Sequence, residues 1–143
     1  MSAAESEFLR AFREGFEHGN RAWNAGDVKT AYAALPDQVE YRLAATWPEA
    51  RVLRSRNDVI EFFESFQETF PDVRTGSHEY LEGAHGTVVA GFRVSGTGRT
   101  SGAVGEMEIW QVWEIGDQDD LTVTRVTEFT NRREAIEAAG LSG

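Results

Sequence analysis

Cysteine is absent from the 143 residues, so the fold has neither disulfide staples nor a thiol nucleophile. Long apolar runs are missing too: no stretch approaches the roughly 20 residues that span a bilayer. The opening Met1-Ser2-Ala3-Ala4-Glu5 lacks the basic flank and apolar run of a signal peptide. A cytoplasmic location is the expectation. Basic residues are in the minority, with 14 Lys and Arg against 24 Asp and Glu, a formal net charge of -10. They are scattered rather than gathered on one stripe, which argues against nucleic acid and against anionic membranes as partners. Histidine is limited to His18, His78 and His85. Their spacing with acids matches no metal motif, and neither a metal nor an organic cofactor is expected.

What remains is an ordinary globular composition, 41% hydrophobic and 27% charged, long enough for a self-sufficient core. One domain over residues 1–143 is expected. Phe8, Phe12, Phe16 and Trp23 repeat at the spacing of a helix face turned to a core. Gly26 suits the end of that helix, Asp27 can cap a second one through Leu35, and Pro36 stops it. A strand is expected at Val39 to Leu43, then a loop holding Trp47 and Pro48. Ser55 and Asp58 have the spacing of a capping box, with Asn57 as an alternative cap, ahead of a helix that buries Val59, Ile60, Phe63, Phe66 and Phe70 and ends at Pro71.

The period then changes to two. His78 to Leu81, Thr87 to Thr97, Val104 to Ile115 and Leu121 to Phe129 read as strands of an antiparallel meander with short connections. Asn131 and Glu134 form a second capping box, for a last helix stopping at Gly140. Helices first and strands later define an α+β fold, with N-terminal helices packed on a curved mixed or antiparallel sheet.

Three segments, Ala22-Trp23-Asn24-Ala25-Gly26-Asp27, Gly98-Arg99-Thr100-Ser101-Gly102 and Arg132-Arg133-Glu134-Ala135-Ile136-Glu137-Ala138-Ala139-Gly140-Leu141, taken in this order and spacing, resemble the nuclear transport factor 2-like superfamily in its SnoaL-like bacterial branch. The resemblance spans nearly the whole chain. It implies a cone in which helices close the mouth of a strongly bent sheet, often in a homodimer. Members include polyketide cyclases, ketosteroid isomerase, limonene epoxide hydrolase and scytalone dehydratase. Function in such folds lives in the few polar residues placed in the cone.

Those residues can be taken one by one. In the third strand of the meander, Met107, Ile109, Gln111, Trp113 and Ile115 alternate with Glu106, Glu108, Trp110, Val112 and Glu114. The first set should face the helices. Gln111 interrupts an apolar row, so its amide either orients a ligand or is satisfied inside the core. Many sequences similar to this one carry a histidine there, and glutamine cannot replace it as a base. Arg125 and Glu128 are the ionisable residues of the last strand, where the cyclase and epoxide hydrolase branches place a catalytic aspartate. They are weak catalytic candidates. Three apart on a strand, they should point to opposite faces unless a bulge intervenes. The shared parity of Leu121, Val123 and Phe129 favours Arg125 inside and Glu128 outside, with Val126 opposing.

Trp23, Tyr41, Trp47 and Phe63 are expected to join Met107, Ile109, Gln111 and Trp113 around a ligand, with Phe16 and Phe66 completing the apolar wall. Arg93 is read as a solvated strand residue if Phe92 faces the core. His18 falls on an exposed helix face and His78 at a strand start; neither is read as catalytic. Glu106, Glu108 and Glu114 form a solvent-facing row. Trp110 and Val112 on that same face suggest a second subunit and hence a homodimer through the outer sheet face. Two functions follow: a binding module for a hydrophobic small molecule, or a cofactor-independent enzyme (isomerase, cyclase, dehydratase or epoxide hydrolase-like) acting on one. A cavity of at least roughly 300 Å³ with a buried carboxylate beside Gln111 or Arg125 would favour the enzyme, a cavity without any ionisable group would favour binding, and a filled core would defeat both.

Overall fold

The computed structural model describes residues 5–47, 49–96, 106–117 and 121–141. Gly98-Arg99-Thr100-Ser101-Gly102, Pro48, Thr97 and Val104 lie outside the described residues. Helix α1 (Glu7–Asn24) starts where the Ser6 hydroxyl accepts from the Leu9 amide, and it buries Phe12 and Trp23. Gly26, at φ +83°, turns the chain, and the Asp27 carboxylate accepts from the Thr30 amide to start α2 (Val28–Ala31). That helix is shorter than the sequence suggests; the chain reaches Leu35 through turns. Strand β1 (Gln38–Arg42), strand β2 (Val52–Ser55) and helix α3 (Arg56–Thr69) follow. Ser55 caps α3 by accepting from the Asp58 amide. Strands β3 (Arg74–Glu82), β4 (Thr87–Ser95), β5 (Glu106–Asp117) and β6 (Thr122–Phe129) make the meander, and α4 (Arg132–Ala138) begins at Asn131 as its capping box requires.

The sheet is six-stranded and mixed, in the order β2-β1-β6-β5-β4-β3. The β3-to-β6 run is antiparallel, whereas β1 lies parallel to β6. With the helices ahead of it, this is the α+β cone arrangement. Its principal core lies between the sheet and α1, α2 and α3. Asn24 fastens α1 to β3 by exchanging hydrogen bonds with the Thr75 backbone, 2.8 Å each way.

On the opposite face a smaller core of Val89, Trp110, Val112, Ala135 and Ala139 forms under α4. Trp110 is buried there, its indole donating to Glu108 at 2.7 Å and the Arg132 guanidinium lying 5.9 Å from its ring. Trp110 and Val112, the residues that suggested a subunit contact, are therefore not an exposed patch on this chain. The chain covers them with its own last helix, and the rest of that face carries Arg93, Glu106, Glu108 and Glu114 as expected.

Candidate functional site

One bulge decides which side chains meet in the cone. Along β5 and β6 the partners are Glu114 with Arg125 and then Ile115 with Val123, so one step on β5 faces two on β6 and Thr124 is extra. The inserted residue flips the face, and both Val123 and Val126 enter the principal core. From Val126 onward the even positions point inward.

Glu128 is therefore inside, 5% exposed, and Arg125 is outside, its side chain 50% exposed between Glu40 at 3.2 Å and Glu114 at 3.6 Å. The sequence-based assignment of these two residues is reversed. Leu121 and Val123 face the cavity as alternation requires, but the bulge that follows them at Thr124 shifts the parity, and Phe129 packs in the smaller core on the other face.

The Glu128 carboxylate is held by four donors from three parts of the chain. Oε1 accepts from the Ala44 amide at 3.0 Å and Trp47 Nε1 at 2.7 Å; Oε2 accepts from the Tyr41 hydroxyl at 3.0 Å and Gln111 Nε2 at 2.7 Å. Gln111 Nε2 also reaches the Tyr41 oxygen at 2.7 Å, and its Oε1 accepts from Trp113 Nε1 at 2.8 Å. Both ends of this amide are thus engaged within the chain. Tyr41 arrives from β1 and Trp47 from the loop before β2, so the parallel β1–β6 pairing is what brings the donors to the acid. Burial raises the Glu128 pKa against the opposing pull of its hydrogen bonds. Burial, together with the charge of Glu128, also pushes the Tyr41 and Tyr32 phenols up, so both stay neutral.

Above this floor is a cavity of about 170 Å³. Trp23, Tyr41, Trp47, Phe63, Gln111 and Trp113 line it, as does Phe16. Met107 and Ile109 do not: Ile109 is fully buried in the filled part of the core, Met107 packs at its half-buried edge, and Phe66 lies behind the wall. Tyr32 escaped the sequence reading. It stacks on Phe63 at 5.3 Å and meets the Tyr41 ring edge-on at 6.3 Å. Ala11, Gly15 and Gly19 were missed as well, although their four-residue spacing on α1 marks one helix face. Ala11 and Gly15 are exposed and form the mouth, while at Gly19 a Cβ would come within 3.2 Å of the Ala31 carbonyl oxygen. His18 is exposed, and Arg93 is solvated beside Glu108. No group of three or more His, Asp or Glu side chains among the described residues is placed to hold a metal ion. No described helix is long and apolar enough to cross a membrane.

Residues 7–126 match the SnoaL-like domain. The chain belongs to the SnoaL-like family. Comparison with curated proteins returns no match. Among solved structures this SnoaL-like chain is similar to an NTF2-like protein from Anabaena variabilis, at 15% identity over 92% of this chain and 96% of that one, TM-score 0.67. It is also similar to a candidate polyketide cyclase from Xanthomonas campestris pv. campestris, at 18% identity over 92% and 98% of the two chains, TM-score 0.62. A candidate ketosteroid isomerase from Kribbella flavida matches at 19% identity over 87% and 78%, TM-score 0.57. At these identities the likeness establishes the fold, and the chemistry rests on the cavity itself.

Proposed function

We propose that this SnoaL-like chain binds a hydrophobic small molecule in the cavity between α1, α2, α3 and the sheet. The observation that carries the reading is the cavity's lining, largely aromatic and aliphatic, with its polar groups confined to a floor around Glu128 and to Asn20 and Thr75 at the rim, both hydrogen-bonded within the chain. A second reading, a cofactor-independent enzyme of the isomerase, cyclase, dehydratase or epoxide hydrolase kind, is favoured by the buried carboxylate beside Gln111 with its raised pKa. Two of the similar structures carry cyclase and isomerase descriptions. Against it, Glu128 would have to surrender one of four donors to accept a proton. Binding is therefore the conclusion. The cytoplasmic location stays a proposal, checked by cell fractionation. The homodimer through the outer sheet face likewise stays a proposal, with α4 already covering Trp110 and Val112; light scattering that shows a monomer at micromolar concentration would remove it.

The neutral dye N-phenyl-1-naphthylamine tests the binding reading through its own emission. Saturable binding is expected, and Gly15→Phe should weaken it about tenfold or more, a change worth ~1.4 kcal/mol. A Cβ at Gly15 meets nothing within 4 Å, so the ring can occupy the mouth without disturbing the fold. Absence of saturable binding, or equal affinity in the variant, would remove the reading. If a substrate is found, Glu128→Gln should abolish turnover at saturating substrate; retained turnover would remove the enzyme reading.

A further inference from the structure

Among the described residues lining the cavity, Glu128 is the one charged side chain, and no described Lys, Arg or His lines it. Its four donors are a phenol, an indole, an amide side chain and a backbone amide, none of them cationic. When ionised, the carboxylate is therefore a buried negative charge compensated by dipoles alone. Arg125 of the same strand cannot reach it, because the bulge sends that guanidinium to the other face of the sheet.

Around this charge stand Trp23, Tyr32, Tyr41, Trp47, Phe63 and Trp113. Tyr32, Tyr41 and Trp47 all pack on Phe63, with ring centroids 5.3, 6.1 and 5.3 Å from it. Aromatic faces attract cations through their quadrupole, and the attraction strengthens where water is excluded. A net charge of -10 over the molecule adds a long-range field that draws cations toward it.

The hydrogen-bond inventory narrows the class further. A carboxylate has about four lone-pair sites, and all four are taken. The Gln111 carbonyl already accepts from Trp113 and keeps one further lone pair. At the rim, the Thr75 hydroxyl bonds with Asn20. A primary ammonium entering here would leave its hydration shell and find too few free side-chain acceptors at the floor for its three N–H groups. A cation without N–H groups to satisfy loses little.

Building on the hydrophobic-ligand reading above, we infer that the ligand of this cavity is a hydrophobic organic cation with a diffuse, weakly hydrated charge, of the quaternary ammonium or pyridinium kind. The aromatic wall receives its apolar surface and Glu128 supplies the counter-charge through space.

Three probes of nearly equal shape and different charge test this: benzyltrimethylammonium, its uncharged carbon isostere neopentylbenzene, and phenylmethanesulfonate. Titration of the full chain near pH ~8, followed by tryptophan emission and calorimetry, should rank the cation about tenfold or more above the isostere and the anion last. The preference should survive about 0.5 M NaCl, which screens the surface field but not a buried pair. In Glu128→Gln, with the surface charge kept, it should fall to within about threefold. If that variant does not fold, the salt series on the unaltered chain decides: a preference lost in salt belongs to the surface and overturns the inference. The phenols of Tyr41 and Tyr32 beside Glu128 stay neutral, which leaves Glu128 as the charged group at the floor among the described residues. Equal or tighter binding of neopentylbenzene overturns the inference and leaves the hydrophobic-ligand reading standing. Failure of all three probes and of the neutral dye overturns both.

Discussion

At the scale of single residues, Glu128 ties strand β6 to β1, β5 and the Trp47 loop, and four donors depend on it. Removing it in Glu128→Ala strands those donors in a buried site, at a cost of roughly 3–5 kcal/mol. The subtler variant Glu128→Gln reports on charge. Because the folded-state pKa of Glu128 is raised above its ordinary value of 4.5, the folded chain holds this proton more tightly than the unfolded one. Its contribution to stability is then fully present below pH 4.5 and is lost as pH rises through the folded value. The stability advantage of the unaltered chain over Glu128→Gln should be largest in acid and shrink toward neutral pH, as read by urea unfolding at a series of pH values. An advantage that stays constant would mean that burial does not penalise the charge. Gln111 was legible in the sequence because a lone amide in an apolar row has to find partners. Glu128 was not, since its face depends on one extra residue at Thr124 that alternation cannot reveal.

At the scale of elements, amphipathic spacing and caps placed α1, α3 and α4, and period-two alternation placed the four-strand meander. Strand β2 escaped because Val52–Ser55 is too short to show a period and gains its identity only by pairing with β1 at the sheet edge. The packing of α4 rests on a close approach that composition does not show. Gly91 lies opposite Trp110, and a Cβ at Gly91 would meet the Trp110 ring at 2.4 Å. The indole thus covers bare backbone, an arrangement that offsets the poor strand propensity of glycine. Gly91→Ala should cost about 1–3 kcal/mol and shift tryptophan emission to the red as the ring is lifted toward solvent under α4. An unchanged denaturation midpoint would show that the ring can move aside freely.

At the scale of the whole molecule, 24 acidic residues against 14 basic ones leave a formal charge of -10, and self-repulsion opposes compaction. Raising salt from about 0.01 to about 0.2 M shortens the screening length from roughly 30 Å to below 10 Å. The melting temperature should rise by a few degrees in a calorimetric scan; a fall would mean that surface pairs such as Arg132–Glu79 outweigh the net charge. The charge balance, the absence of cysteine, the helix faces, the capping boxes and the alternation of β5 are local properties, and each was determined by the sequence itself through propensity and period. The parallel seating of β1 beside β6, the covering of Trp110 by α4 and the inward turn of Glu128 were decided by tertiary structure. Each depends on which distant segment fills a neighbouring space, and a bulge or a helix docked from the end of the chain leaves no period of its own in the sequence that it reshapes.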